Sequence, residues 1–146
     1  MIGLLQRVSH AEVKVDGKTI GQIGRGLMVL VAVHRDDTDK DVARLAERLL
    51  GYRVFADDKG RMNRSLCDIS GGLLLVPQFT LTADTKKGTR ASFTRGAAPD
   101  KASAYFDRLV DICRQKHAPV ETGAFGADMQ VSLTNDGPVT FWLDTK

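Results

Sequence analysis

Long apolar runs are missing from this 146-residue chain, so no stretch of it is expected to cross a bilayer as a helix. The N-terminus, MIGLLQRVSH, has no basic stretch ahead of its apolar residues and no small-residue cleavage site. It does not read as a signal peptide, and a cytoplasmic protein is expected. Cysteine is scarce. Cys67 and Cys113 lie far apart, belong to no CxxC pair, and are expected as reduced thiols, not as a disulfide or metal site. Aromatics are few, with six Phe, two Tyr and one Trp, and they form no cluster of the kind that stacks RNA bases on a sheet. The common catalytic signatures are absent too: no GxSxG elbow, no P-loop, no GxGxxG after a strand and no HExxH. Gly21, Gly24 and Gly26 read as turn residues between strands. His10, His34 and His117 read as surface or capping histidines. The acidic run from Asp36 to Asp41 lacks EF-hand spacing and suits a helix start. Neither cofactor nor metal is expected.

What is present is ordinary for a globular domain: 42% hydrophobic and 27% charged residues. The length suits one domain with a real core. A net charge of +3 and a pI near 9.0 permit a polyanionic partner without requiring one.

Strand signals dominate. Ile2 to Val8 and Ala11 to Val15 are rich in β-formers, Asp16-Gly17 turns the chain, and KTIGQIG returns. Leu27 to Val33 is apolar without alternation, as in a strand buried on both faces. Thr38 and Asp41 approximate a capping box. Val42, Leu45, Ala46 and Leu49 follow on one helical face, ending near Gly51. YRVFA is a short strand and Asp57 to Gly60 a turn. LLLVPQF, after Gly71-Gly72, is a second central strand. Thr80 to Ala98 has neither period and reads as a long, basic loop. Pro99 opens a second helix with Ala102, Tyr105, Phe106, Leu109, Val110 and Cys113 on its apolar stripe, ending near Lys116. ADMQVSLT and VTFWLDT are expected as two strands joined by a hairpin turn at Asn135-Asp136-Gly137. Two helices between runs of strands argue for an α+β fold with mixed, largely antiparallel sheets, barrel- or sandwich-like.

Two segments stand apart. In VPQFTLTAD, Gln78 and Thr80 alternate with Phe79, so a strand there would send the polar pair one way and the ring the other; a wet strand end is the plain alternative. In NDGPV, Pro138 denies the next strand an N–H, and a proline at a strand's first residue is the plain alternative.

QRV (Gln6 to Val8), LGYRVF (Leu50 to Phe55), PQFTL (Pro77 to Leu81), ADMQVSL (Ala127 to Leu133) and NDGPVTFWL (Asn135 to Leu143) occur in the order seen in the D-aminoacyl-tRNA deacylases, which the whole chain resembles. The resemblance implies a compact α+β homodimer that hydrolyses the ester between a D-amino acid and the 3′-terminal adenosine of tRNA. It implies that Gly137-Pro138 is a Gly-cis-Pro element reaching from one subunit into the other's pocket. A cis X-Pro bond is only slightly disfavoured, and glycine lets backbone approach a ligand. It further implies that Gln78, Phe79 and Thr80 supply backbone donors and an adenosine pocket, that Arg7 braces the Gly-Pro element, and that Phe125 and Met129 line the pocket. A surface arginine and plain core residues are the alternatives for the last three. Lys86, Lys87, Arg90 and Arg95 are candidates for tRNA phosphates, against a merely solvated basic loop. The family usually has serine where Pro77 stands, so contacts made by that serine are not available to this side chain. A non-catalytic RNA-binding module, and an esterase or amidase on free D-aminoacyl compounds, are the rival functions.

Overall fold

The computed structural model describes residues 1–146. Strand β1 (Ile2–Val15) is a single 14-residue element, where the sequence suggested two. The Asp16-Gly17 turn, with Asp16 at φ 50° and Gly17 at φ 77°, returns the chain into β2 (Lys18–Ile23), antiparallel to the second half of β1. Strand β3 (Gly26–Ala32) pairs with the first half of β1, placing Ile2 opposite Ala32 and Val8 opposite Gly26. Helix α1 (Asp39–Gly51) follows. The Asp41 carboxylate accepts the Thr38 N–H at 2.8 Å, as the capping reading expects. Of YRVFA only β4 (Phe55–Ala56) is strand, paired with β5 (Met62–Arg64). Short α2 (Leu66–Ile69) then leads to β6 (Gly72–Pro77). After α3 (Pro99–Lys116), β7 (Val120–Thr122) and β8 (Gln130–Asp144) complete the chain.

The main sheet runs β2-β1-β3-β6-β7, with β8 on the other side of β1. Strands β3, β6 and β7 are mutually parallel and the other pairings antiparallel, so the sheet is mixed. It curls until β2 comes against β7: a Cβ built on Gly21 would lie 2.7 Å from the Thr122 carbonyl oxygen. Only glycine admits that approach. The result is nearly a barrel, with three helices where the sequence announced two; α2, four residues long, is the addition.

Alternation along the strands splits the core. Leu5, Val29, Val31, Leu73 and Leu75 face α1 and α3, meeting Leu45, Leu49, Phe106 and Leu109 in a 23-residue cluster. Val8, Val13, Ile23, Met28, Leu74 and Val76 face the barrel interior.

Two further expectations are corrected. The hairpin at Asn135-Asp136-Gly137 does not form. Strand β8 runs through it as one element, pairing with β1 on both sides of an excursion: Val8 opposes Asn135 and Gln6 opposes Thr140, leaving 136–139 displaced opposite Arg7. A 14-residue partner strand offers backbone hydrogen bonds along its whole length, and that outweighs the local turn signal. LLLVPQF is strand only to Pro77; Phe79–Thr82 is a 3-10 turn. The loop from Thr80 to Ala98 is tied down by backbone pairs between Asp84 and Ser92, from Arg35 to the Arg95 carbonyl, and from Ala97 to the Val33 carbonyl.

Candidate functional site

The residues singled out in the sequence fall into two groups, at opposite ends of the sheet. The first gathers where parallel β3 and β6 end beneath α3. Gln78 donates its backbone N–H to the Val31 carbonyl at 2.7 Å. That bond terminates β6 and starts the 3-10 turn, in which Phe79 and Thr80 come first. The leading N–H groups of a helical turn have no partner within it, so both are placed as donors. The turn is held from behind: Thr82, fully buried, gives its hydroxyl proton to the Phe79 carbonyl at 2.8 Å. Gln78, Phe79 and Phe125 line an apolar recess whose floor includes Val31, Ala97 and Phe106.

Thr80 is exposed, and its hydroxyl is hydrogen-bonded to the Gln78 side-chain amide. An amide is no base in either orientation, so nothing beside Thr80 activates it as a nucleophile. Gln78 and Thr80 therefore share a side, but through a helical turn and not through strand alternation. Met129 does not join the recess. Its sulfur accepts the Ala124 N–H at 3.4 Å and packs with the barrel-interior cluster.

Pro77 fits its place. The neighbouring N–H of Gln78 points to β3, so alternation turns the Pro77 nitrogen to the other side. There the β7 ladder has ended, since its pairing with β6 covers only Leu73 to Leu75. The missing N–H deprives no strand.

The second group is the excursion in β8. The Gly137–Pro138 bond is cis, and Gly137 sits at φ 140°, a region L residues rarely adopt. Two side chains hold this backbone. Arg7, only 17% exposed, donates from Nε to the Asp136 carbonyl at 2.9 Å and from Nη1 to the Val54 carbonyl at 2.6 Å. Asn135 closes the loop at its base: its Oδ1 accepts the Val139 N–H at 2.7 Å, and its Nδ2 donates to the Thr140 hydroxyl at 2.7 Å. The sequence reading missed Asn135 because Asn before Asp-Gly reads as turn chemistry; only its spacing to Val139 hinted otherwise.

Within one chain the two groups do not meet. Gly137 stands level with Arg7 and Leu27, Gln78 just beyond Val31. Three inter-strand steps of ~4.8 Å and four residues of ~3.3 Å separate them by roughly 20 Å along the sheet. Between them Trp142, Leu4 and Leu30 stand directly opposite one another on β8, β1 and β3. Trp142 is 53% exposed and the two leucines are half-buried.

Of the basic candidates, Lys86, Lys87 and Arg90 project from the loop tip beyond the Asp84–Ser92 pair and are exposed. Arg95 is partly spent on the Ala83 carbonyl, at 2.9 Å. No group of three or more His, Cys, Asp or Glu is placed to hold a metal ion. No helix is long and apolar enough to cross a membrane.

The family model for D-Tyr-tRNA(Tyr) deacylase matches residues 4–144. The chain belongs to that deacylase family. It is 60% identical over its full length, and over 97% of the relative's, to the D-aminoacyl-tRNA deacylase of Alkalilimnicola ehrlichii. It is 62% identical to that of Thioalkalivibrio sulfidiphilus, covering 99% of this chain and 97% of the relative. The same fold is seen in a solved structure described as a c-Myc DNA unwinding element binding protein, with a TM-score of 0.95 and 35% identity over 100% of this chain and 99% of the other. A probable eukaryotic D-amino acid tRNA deacylase superposes with a TM-score of 0.81 at 22% identity, over 97% of each chain.

Proposed function

We propose that this chain hydrolyses the ester between a D-amino acid and the 3′-terminal adenosine of tRNA. It acts in the cytoplasm as a homodimer whose Gly137-Pro138 element enters the partner's recess. The observation that carries the reading is the separation of roughly 20 Å between the two motifs, with an apolar patch between them. One chain holds two half-sites; a two-fold partner applied through Trp142, Leu4 and Leu30 brings unlike halves together twice.

The chemistry follows from what the halves offer. The aminoacyl ester is already activated, and a free 2′-hydroxyl lies on the neighbouring ribose carbon. Positioning and oxyanion donors then suffice. Gln78 and Phe79 hold the adenosine, and the N–H groups of Phe79 and Thr80 face the carbonyl oxygen as it gains charge. The 2′-hydroxyl of the tRNA assists, and Thr80 is not a nucleophile. Carbonyl oxygens of the Gly137-Pro138 segment accept from the substrate's ammonium.

Selectivity is steric. With ammonium and ester carbon fixed, a D side chain leaves toward solvent, while an L side chain strikes the backbone. Exclusion by collision exceeds what a recognition pocket gains from one methylene, about 1–3 kcal/mol. Many D-amino acids are accepted, and glycine, with nothing to collide, is hydrolysed to some extent. Deacylation of a panel of D-, L- and glycyl-tRNAs tests this; equal rates on D- and L-tyrosyl-tRNA sink it. Sedimentation of the wild type and Trp142→Glu tests assembly. A monomeric variant with full activity would remove the shared site.

A further inference from the structure

The exposed rings of Phe79 and Phe93 form an aromatic corner that the core does not use. Phe79 is 62% and Phe93 41% exposed, and their centroids lie 5.2 Å apart at 57°. Phe93 is held firmly for a loop residue. The Asp84–Ser92 pair precedes it, its own carbonyl accepts the Gly96 N–H at 3.0 Å, and the Arg95 carbonyl accepts the Arg35 N–H at 3.0 Å. Two residues past Phe93, Arg95 is tied through its carbonyl to the Arg35 N–H, and both arginines line a polar cleft of about 360 Å³ together with His34, Asp36, Asp144 and Lys146. Asp144 lies 3.8 Å from the His34 ring, and Asp36 lies 3.9 Å from the Lys146 ammonium, which is also 3.3 Å from buried Asp37. The Arg35 guanidinium makes no hydrogen bond or ion pair, and Arg95 uses one donor, on the Ala83 carbonyl.

Phe79 lines the recess, Phe93 lies against Phe79, and Arg95 of the cleft is two residues along the chain from Phe93. Resting on the function proposed above, we infer that Phe93 stacks the base of the nucleotide preceding the terminal adenosine and that Arg35 and Arg95 take its phosphate. The occupant is a single-stranded RNA 3′ end. Phe79 and Phe93 offer successive faces for successive bases, and unpaired guanidinium charge lies where the backbone would run. Stacking is sequence-tolerant, as suits an enzyme that meets many tRNAs.

The test uses two independent arms. In the first, Phe93→Ala and Phe93→Tyr are compared on D-tyrosyl-tRNA and on D-tyrosyl-adenosine, which lacks the preceding nucleotide. The expected result is a KM for the tRNA raised roughly 5- to 100-fold in Phe93→Ala and restored in Phe93→Tyr, with D-tyrosyl-adenosine unaffected. Equal losses on both substrates would make Phe93 only a prop for Phe79 and overturn the inference, as would no change on either. In the second arm, fluorescence anisotropy follows uncharged minihelices with and without a single-stranded CCA end. Phe93→Ala should weaken binding of the first alone; identical Kd values for wild type and variant overturn the inference. Should the wild type hydrolyse neither ester, the proposed function falls, and the binding arm still decides the role of Phe93.

Discussion

Asn135→Ala is the perturbation that separates holding the excursion from folding the strand. The side chain closes the displaced segment with two contacts of 2.7 Å, one accepting from Val139 N–H and one donating to the Thr140 hydroxyl. At about 1 kcal/mol net for each hydrogen bond, the loss is ~2 kcal/mol. That moves the balance between the closed and an opened excursion about 30-fold. Both flanks of β8 remain paired with β1, from Lys14 to Val8 and from Gln6 to Ile2, so the protein still folds, with Tm lower by about 4–8 °C. On the proposed reading of this excursion as a chiral gate, the gate should loosen far more than the fold. Single-turnover deacylation of D- and L-tyrosyl-tRNA should show the D/L rate ratio falling by up to about 30-fold, with KM for tRNA little changed. Asn135→Asp is the control. A carboxylate accepts from both the Val139 N–H and the Thr140 O–H, so discrimination should largely return. The reasoning is refuted if Asn135→Ala keeps the wild-type D/L ratio while amide exchange at Val139 shows the excursion open, or if Asn135→Asp behaves like Asn135→Ala.

Thr80→Ala should deacylate D-tyrosyl-tRNA at near the wild-type rate, since the hydroxyl has no base; a loss of a thousand-fold or more would point to a covalent route. Gly137→Ala should abolish discrimination or activity. Gly137 sits at φ 140°, and an added Cβ would lie 2.7 Å from Val139 Cγ2; an unaffected D/L ratio would count against the element. Burial would raise the Asp41 carboxyl, but hydrogen bonds from the Thr38 N–H and the Thr145 and Thr38 hydroxyls, with the Lys146 charge, hold it well below the usual carboxylate range. Its folded pKa is depressed, so its contribution is present above the ordinary carboxylate value near 3.9 and is lost as pH falls through the lower folded value. Asp41→Asn should flatten that acid limb in urea titrations between about pH 4 and pH 2, and an unchanged limb would remove Asp41 as its cause. Burial pushes the Cys113 thiol up to about 12, whereas Cys67 is exposed. A disulfide reagent should therefore titrate one thiol in the native protein and two after unfolding; two fast equivalents would contradict the packing of α3.

Legibility followed the range of the interactions. Strand β3 and helices α1 and α3 were readable because their apolar patterns are local and long enough to show a period: Leu27 to Val33 unbroken, Val42-Leu45-Ala46-Leu49 on one face. Strand β7 has three residues and α2 four, too short for any period to register. The false hairpin is the instructive error. Asn135-Asp136-Gly137 carries strong turn chemistry, and nothing nearby reveals that β1 offers a partner to both flanks. The 3-10 turn after Pro77 is likewise set by a distant acceptor, the Val31 carbonyl. Of the candidate site, Gln78, Phe79 and Pro138 stood out in local pattern, but their roles, with those of Gly137 and Arg7, came only from the family motifs, because backbone donors and acceptors leave no compositional trace. Phe125 lines the recess in this chain, and Met129 packs with the barrel-interior cluster.

Most polar side chains around the two groups share one habit: they bind main chain, with Gln78 and Thr80, bonded to each other, as the exception. Arg7 reaches the carbonyls of Asp136 and Val54, Asn135 the N–H of Val139, Thr82 the carbonyl of Phe79 and Arg95 that of Ala83. A site built this way presents peptide groups as its working surface and uses side chains to fix them. On the proposed reading, that suits the task. An activated ester needs little acid–base help, but telling D from L needs a wall that does not yield. A long side chain swings among rotamers, whereas backbone clamped at several points has nowhere to go. The absence of a recognisable catalytic set and the density of side-chain to main-chain bonds are then two faces of one design. Discrimination should be lost through the clamps, at Arg7 and Asn135, while removal of the exposed Thr80 hydroxyl leaves the reaction near its normal rate.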